Sequence, residues 1–386
     1  MRTYGVGIRK IFCSFLLLLI SACSEKEREI SPLLDDVFSE NCEISEAPDR
    51  IQVSATRATE TLNILFVLGI QKTWPFQKNQ NPVRDSVPDA FKRFRRHRAL
   101  KLTAELVNKS GSISIPAHLS GLLTYDNDFK WRDDPSHFFG DIPDLSDTFA
   151  DEYLVALNQF YQDANVAAFL SDHIAIYQGA ISEAAANLPS IEDVQFAAAY
   201  FGAPKAAYCA RVSLAFYSMA VSIDGSMDRD DLALMVLGPM TDIWPHEPFF
   251  DEASSGYTNK RILRDLTFHE FGHSFFELPD TLISDSEVLF PLIQDTMREN
   301  RYGSWDIALD EHIVRAAETR LWELLGEPNI AEQKRRENAA FSYLATVEDL
   351  LIDYENARDT YPTLDAYLPK LVAELVARTE HTPPVR

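Results

Sequence analysis

Apolar positions change their spacing several times along this chain, and each change predicts an element. Leu62-Asn-Ile-Leu-Phe-Val-Leu-Gly-Ile70 is a continuous run rich in β-formers between polar flanks, which reads as a buried strand. From about Asp89 to Asn108, the positions of Phe91, Phe94, Leu100, Leu102, Leu106 and Val107 predict a helix. Residues 111–144 hold Gly, Pro and Asp in quantity, with His118, Trp131 and His137 among them. A structureless loop of that length is uncommon, so the segment is either functional or contains elements the pattern hides. Residues 145–187 predict one or two helices, and a short helix follows Pro189 and ends near Gly202-Ala-Pro204. Then the spacing shortens. Val212 to Ile223 and Leu232 to Gly238 predict two strands, and everything from about Asp285 reads as helix with breaks near Gly303, Gly326–Pro328 and Tyr361-Pro362. The sum is an α+β fold, mostly helical, with a small sheet.

One helix carries chemistry. Leu263 to Phe276 contains His269-Glu270-Phe271-Gly272-His273, an HExxH pattern. Residues four apart lie one turn above each other on the same helix face, so both imidazoles can reach a single zinc ion. Glu270 stands beside them as a base for the water that such an ion activates. The helical context is present: Leu263, Leu266, Phe271, Phe275 and Phe276 supply apolar positions, and Arg261, Arg264 and Asp265 polar ones. The alternative is an amphipathic helix that carries two histidines for packing.

A catalytic zinc site needs a third protein ligand and an open position. Metzincins place Gly three residues after the second His and His or Asp three further on; here those positions are Phe276 and Pro279. The remaining common solution is a glutamate on a later helix. Asp310-Glu311-His312-Ile-Val-Arg315-Ala-Ala-Glu318 supplies one. Glu311 is the first choice, His312 the second and Glu318 the third.

These segments resemble the gluzincin branch of the zincin metalloproteases. More narrowly, they resemble a family of bacterial lipoproteins that join HExxH to a later Glu-His-hydrophobic-Val-Arg-Ala segment. The resemblance implies a small mixed sheet whose edge strand takes an extended peptide, followed by the HExxH helix and a helical C-terminal part. It further implies a zinc-dependent peptidase with His269, His273 and Glu311 on Zn2+ and Glu270 as general base. His312, Tyr343 and Tyr354 are its candidate oxyanion donors, with Tyr343 first among the tyrosines. Arg315 departs from the familiar pattern, because it stands where an acidic residue that orients a ligand histidine is often found. A second reading keeps the scaffold and the zinc without turnover. A third is a binding lipoprotein with no metal. The expected substrate is a peptide or protein, and the sequence leaves open whether it is a protein, a short peptide or a peptidoglycan cross-link.

The amino terminus adds a location. Arg2, Arg9 and Lys10 precede the apolar run Ile11–Ile20, which fits a secretory signal over residues 1–22. Leu19-Ile20-Ser21-Ala22-Cys23 resembles a bacterial lipobox, which makes Cys23 the lipidated first residue of the mature protein. Residues 23–58 read as a flexible tether and 59–386 as the metallopeptidase domain, with the sheet in 59–257 and helices in 258–386. The expected place is the bacterial cell envelope, anchored by lipid to the outer membrane and facing either the periplasm or the exterior. Cys42 and Cys209 are the two thiols left after the signal, and an oxidising compartment permits them to pair. Net charge is −23, which argues against nucleic acid as a partner. The basic cluster Lys92 to Arg98, with Lys101, reads as a solvated helix face or the seat of an acidic partner.

Overall fold

The Leu62–Ile70 run is helical. A computed structural model describes residues 34–39, 41–70, 82–112, 114–140, 142–217, 219–223, 231–240, 255–300 and 302–381. In it helix α1 (Arg57–Ile70) starts at Thr56, whose hydroxyl accepts from the Thr59 amide at 3.0 Å. Ile64, Leu65, Phe66 and Val67 are all buried, so the helix is enclosed on every side. An enclosed helix has no polar stripe, and its sequence becomes indistinguishable by period from a buried strand.

The polar residues of α1 are tied down. Asn63 Nδ2 donates to Ser213 Oγ at 3.0 Å. Glu60 accepts from the Leu214 amide at 2.9 Å, the Ala215 amide at 3.2 Å and the Tyr177 hydroxyl at 2.7 Å. Burial nevertheless pushes the Glu60 carboxyl from 4.5 up to about 7. A folded-state pKa above the unfolded one gives stability that is complete below pH 4.5 and is lost as pH rises through about 7. The shift corresponds to roughly 3 kcal/mol. Urea melts of wild type and Glu60→Gln between pH 4.5 and 8 are therefore expected to converge or cross as pH rises, the wild type losing that increment relative to the variant. Parallel stability curves would contradict the assignment.

After α1 come α2 (Pro82–Ala90), α3 (Arg98–Ser110) and α4 (Ile115–Leu122). His97 separates α2 from α3, its Nδ1 accepting from the Ala99 amide at 3.2 Å as a cap. The expected single helix over 89–108 is thus two, joined by a 3-10 turn at Lys92–Phe94. Residues 111–144 are not a loop: with α4 they form the hairpin β2 (Leu123–Asp126) and β3 (Asp128–Trp131), then α5 (Ser136–Gly140). Helices α6 (Phe149–Asp163), α7 (Val166–Asp172) and α8 (Ile174–Asn187) follow where one or two were expected. The first break is Asn165, a left-handed residue (φ 50°) whose side chain caps α7. Helix α9 (Ile191–Phe201) ends at Gly202 as its sequence predicts.

The sheet has the order β1-β4-β6-β5, with β1 (Gln52–Ser54), β4 (Ala207–Val212) and β6 (Leu232–Leu237) parallel. The edge strand β5 (Ala220–Ser222) runs antiparallel to β6. One face of the sheet (Tyr208, Ala210, Ala233, Met235) packs on α9, α10 (Lys260–His273) and the helices after it. Cys209, Leu232, Leu234 and Val236 cover the other face, against Ala117 of α4. Burial on both faces explains the unbroken apolar run of β6. The later helices are α11 (Asp280–Ser286), α12 (Phe290–Glu299), α13 (Trp305–Leu324), α14 (Pro328–Glu337), α15 (Leu344–Glu355) and α16 (Leu364–His381). The fold is mostly helical with a small mixed sheet, as expected, and α9 and the sheet share one core with α10 to α16.

The tether reading of 23–58 fails from residue 34 onward. Leu34, Val37 and Phe38 are buried, β1 pairs in the sheet, and Cys42 is disulfide-bonded to Cys209 of β4, with 6.3 Å between the Cα atoms. A three-residue strand leaves no periodic signal, and a polar segment anchored by one disulfide and a few apolar contacts reads as linker. The signal segment, Cys23 and residues 24–33 lie outside the described residues. Among the described residues, no helix is long and apolar enough to cross a membrane.

Candidate metal centre

Helix α10 is capped by Asn259, whose Oδ1 accepts from the Ile262 amide at 3.2 Å. Phe268, Phe271 and Phe275 anchor it through rings of Trp322, Tyr208 and Phe201. The histidines are left on another face, with ring centroids 4.9 Å apart. Gly272 lets α13 come close: a Cβ there would stand 3.2 Å from Cγ1 of Val314. That approach brings Glu311 of α13 over the histidines.

His269, His273 and Glu311 each offer one ligand atom, and the three lie within 4.8 Å of one another. Nε2 of His269 is 3.6 Å from Oε2 of Glu311. Nδ1 of His273 is 2.5 Å from Oδ2 of Asp310, which turns its Nε2 toward the cluster. Nδ1 of His269 faces Oε2 of Glu318 at 3.8 Å. Thus Asp310 and Glu318 flank the two histidines, and Arg315 does something else. Its guanidinium ion-pairs with Oε2 of Glu311 at 2.8 Å, donates to Tyr302 Oη at 3.0 Å and to Asn338 Oδ1 at 2.9 Å, and lies over Phe341. The contact with Glu311 is an ion pair without hydrogen-bonding alignment, and Oε2 of Glu311 is a buried acceptor with no aligned donor. A pair of imidazoles and a carboxylate with an unfilled oxygen is a donor set suited to zinc.

Burial opposes protonation of His273, but Asp310, Glu311 and Glu270 together outweigh it and push the imidazole up to about 10. Burial holds His269 well below the usual histidine range, with Arg315 and His273 adding to it. Burial raises the Glu270 carboxyl to about 7, while Oε2 of Glu270 accepts from the Ser222 amide of β5 at 2.6 Å. Carboxylates thus favour the charged form of His273, while burial and neighbouring cations disfavour that of His269.

It sits in a cleft of about 1950 Å³. One wall is the edge strand, Met219 to Ile223, and the other includes Tyr302, Ile307 and Arg315. His118 of α4 also faces the cleft, and burial followed by the charge of His273 lowers its pKa to about 4, leaving it neutral. Three expected donors are turned away. His312 is fully buried, with Nδ1 on the Ala308 carbonyl at 2.5 Å, and packs against Phe341 and Tyr343. Tyr343 donates to the Leu289 carbonyl at 2.9 Å and Tyr354 to the Tyr200 carbonyl at 2.9 Å, both inside the helical core. His312 is also excluded as third ligand, because position 312 points about 100° away from 311 around the helix. His137 does not line the cleft. Tyr302 and Asp310 were not singled out from sequence; Asp310 directly precedes Glu311, whereas nothing in its neighbourhood marks Tyr302.

A two-histidine, one-glutamate cluster on two packed helices, open to a cleft beside a sheet edge, defines the site. The chain belongs to the family described as a domain of unknown function, DUF4932, which matches residues 76–374 and so contains every residue of the cluster. Comparison with curated proteins and with solved structures gives no match.

Proposed function

We propose that this chain is a zinc-dependent peptidase of the gluzincin kind, with His269, His273 and Glu311 as ligands. The observation that carries the reading is the convergence of those three donors within 4.8 Å beside Glu270, on the floor of an open cleft. Zinc held there would act as a Lewis acid and bring the pKa of a water toward neutrality.

The chain's own residues do the remainder. Ser222 fixes one oxygen of Glu270, and the other is free to take a proton from the attacking water and pass it to the leaving amine. Asp310 holds His273 in one orientation. Tyr302, whose oxygen accepts from Arg315, keeps its own proton to offer to charge that develops on a carbonyl oxygen; His118 is the second neutral donor facing the cleft. Among the described residues β5 is the last strand of the sheet and one wall of the cleft, so an extended peptide in the cleft would lie beside it. The disulfide favours an oxidising compartment and so supports the envelope location expected from the lipobox-like segment around Cys23.

The test is incubation of the purified mature domain, supplied with zinc, with unfolded casein and with a mixed peptide library read by mass spectrometry. Cleavage that stops on chelation and returns with zinc is expected. No cleavage of either by zinc-loaded protein would favour a non-catalytic binding role on the same scaffold.

A further inference from the structure

Beside His269, on the side away from Glu311, three largely buried charged side chains meet at the wall of the same cleft. Glu318 of α13 is 3 % exposed and Asp265 of α10 is 8 % exposed. Lys334 of α14 reaches both, with Nζ 2.8 Å from Oε1 of Glu318 and 3.0 Å from Oδ2 of Asp265. Taking three charges largely out of water carries a desolvation cost that apolar side chains of the same volume would not. The packing between α13 and α14 does not require the trio, since Leu321 and Ala331 already contribute apolar surface to the core there.

What the trio does is aim a carboxylate. Lys334 ion-pairs with Oε1 of Glu318 without hydrogen-bond alignment, and Oε2 of Glu318 faces Nδ1 of His269, a nitrogen with no hydrogen-bond partner. The 3.8 Å separation is about 0.9 Å beyond an ordinary N–H···O bond, whereas the matching contact of His273 with Asp310 is fully made. His269 is therefore the adjustable limb of the cluster. An imidazole can present Nε2 to an ion only when its proton sits on Nδ1, and an acceptor on the Nδ1 side sets that tautomer.

We propose that Lys334 is a positioning residue for the metal centre: from a third helix it holds Glu318 against His269 and so fixes which nitrogen His269 presents to the cluster. The proposal rests on the metal reading above and adds α14 to the elements that decide metal affinity.

Zinc affinity, measured by competition with a chromophoric chelator, is compared for wild type, Lys334→Met, Glu318→Gln, the double variant and Lys334→Arg. A 10- to 100-fold weakening is expected for each of the first two variants, on the order seen when a ligand's orienting partner is removed. The double variant is expected to be no weaker than Glu318→Gln, because Lys334 acts through Glu318, and Lys334→Arg should recover part of the loss. Nitrogen-15 spectra of histidine-labelled, metal-free protein should show His269 leave the Nδ1–H form in Lys334→Met. If that variant does not fold, Lys334→Met combined with Asp265→Asn removes one charge of each sign and replaces it. Zinc affinity within twofold of wild type, with only the melting temperature lowered, would reduce Lys334 to a structural ion pair and overturn the proposal. Absence of zinc from wild type would sink the metal reading instead, and an unaltered His269 tautomer in the metal-free variant would then overturn the role of Lys334 on its own.

Discussion

Glu270→Gln is expected to keep zinc and to lose the proposed peptide hydrolysis by roughly 10²- to 10⁴-fold, the range supplied by a general base. The amide has the shape of the carboxylate, and its oxygen can still accept from the Ser222 amide, so the link between α10 and β5 survives. The ligand donors belong to other residues, so zinc content should be unchanged. What disappears is the ability to take a proton. The readout is kcat on any substrate found for the wild type, beside zinc stoichiometry of both proteins. Turnover equal to wild type would remove Glu270 from the mechanism. Loss of zinc together with turnover would show that the variant had disturbed the centre and not the base.

Breaking the disulfide has the largest expected effect on stability. Cys42 and Cys209 are 167 residues apart, and in the chain-entropy account closing a loop of that length limits the unfolded chain by about 5 kcal/mol, with measured values commonly nearer 2–4. Cys42→Ala with Cys209→Ala should lower unfolding free energy within that range in urea melts. A reductant should lower wild type similarly and leave the double variant unmoved. The local consequence follows from position. Cys209 packs in one cluster with Val221 of β5 and Ala117 of α4, the neighbour of His118. Amide exchange over 220–222 should therefore rise when the bridge is gone. Equal stability of bridged and unbridged protein would mean that the N-terminal segment contributes little to the fold.

How much of this could be read from the sequence depended on distance along the chain. HExxH condenses two candidate ligands and a candidate base into five residues of one helix, and the helix around them is amphipathic, so that half of the cluster was legible. Glu311 was legible because its helix follows soon after His273, although Asp306, Asp310, Glu318 and Glu323 share that helix. Choosing between 311 and 312 needed the helix face, which the packing of Phe341 and Tyr343 decides and local sequence does not. Tyr302 and His118 enter the cleft from different elements through tertiary packing alone. Arg315 does depart from the familiar pattern, as its sequence position indicates, and the carboxylates beside the histidines stand elsewhere on its helix: Asp310 is bonded to His273, and Glu318 faces His269 at 3.8 Å. In the fold, α1 was misread because total burial erases helical period, and β1 was missed because three polar-edged residues have none.

Metal analysis of the mature domain, refolded or expressed with ample zinc, tests the central claim most directly when His269→Ala and Glu311→Ala are measured beside it. One equivalent of zinc in wild type, and little in either variant, is the predicted result. Zinc absent from metal-replete wild type, or retained in full by Glu311→Ala, would contradict it.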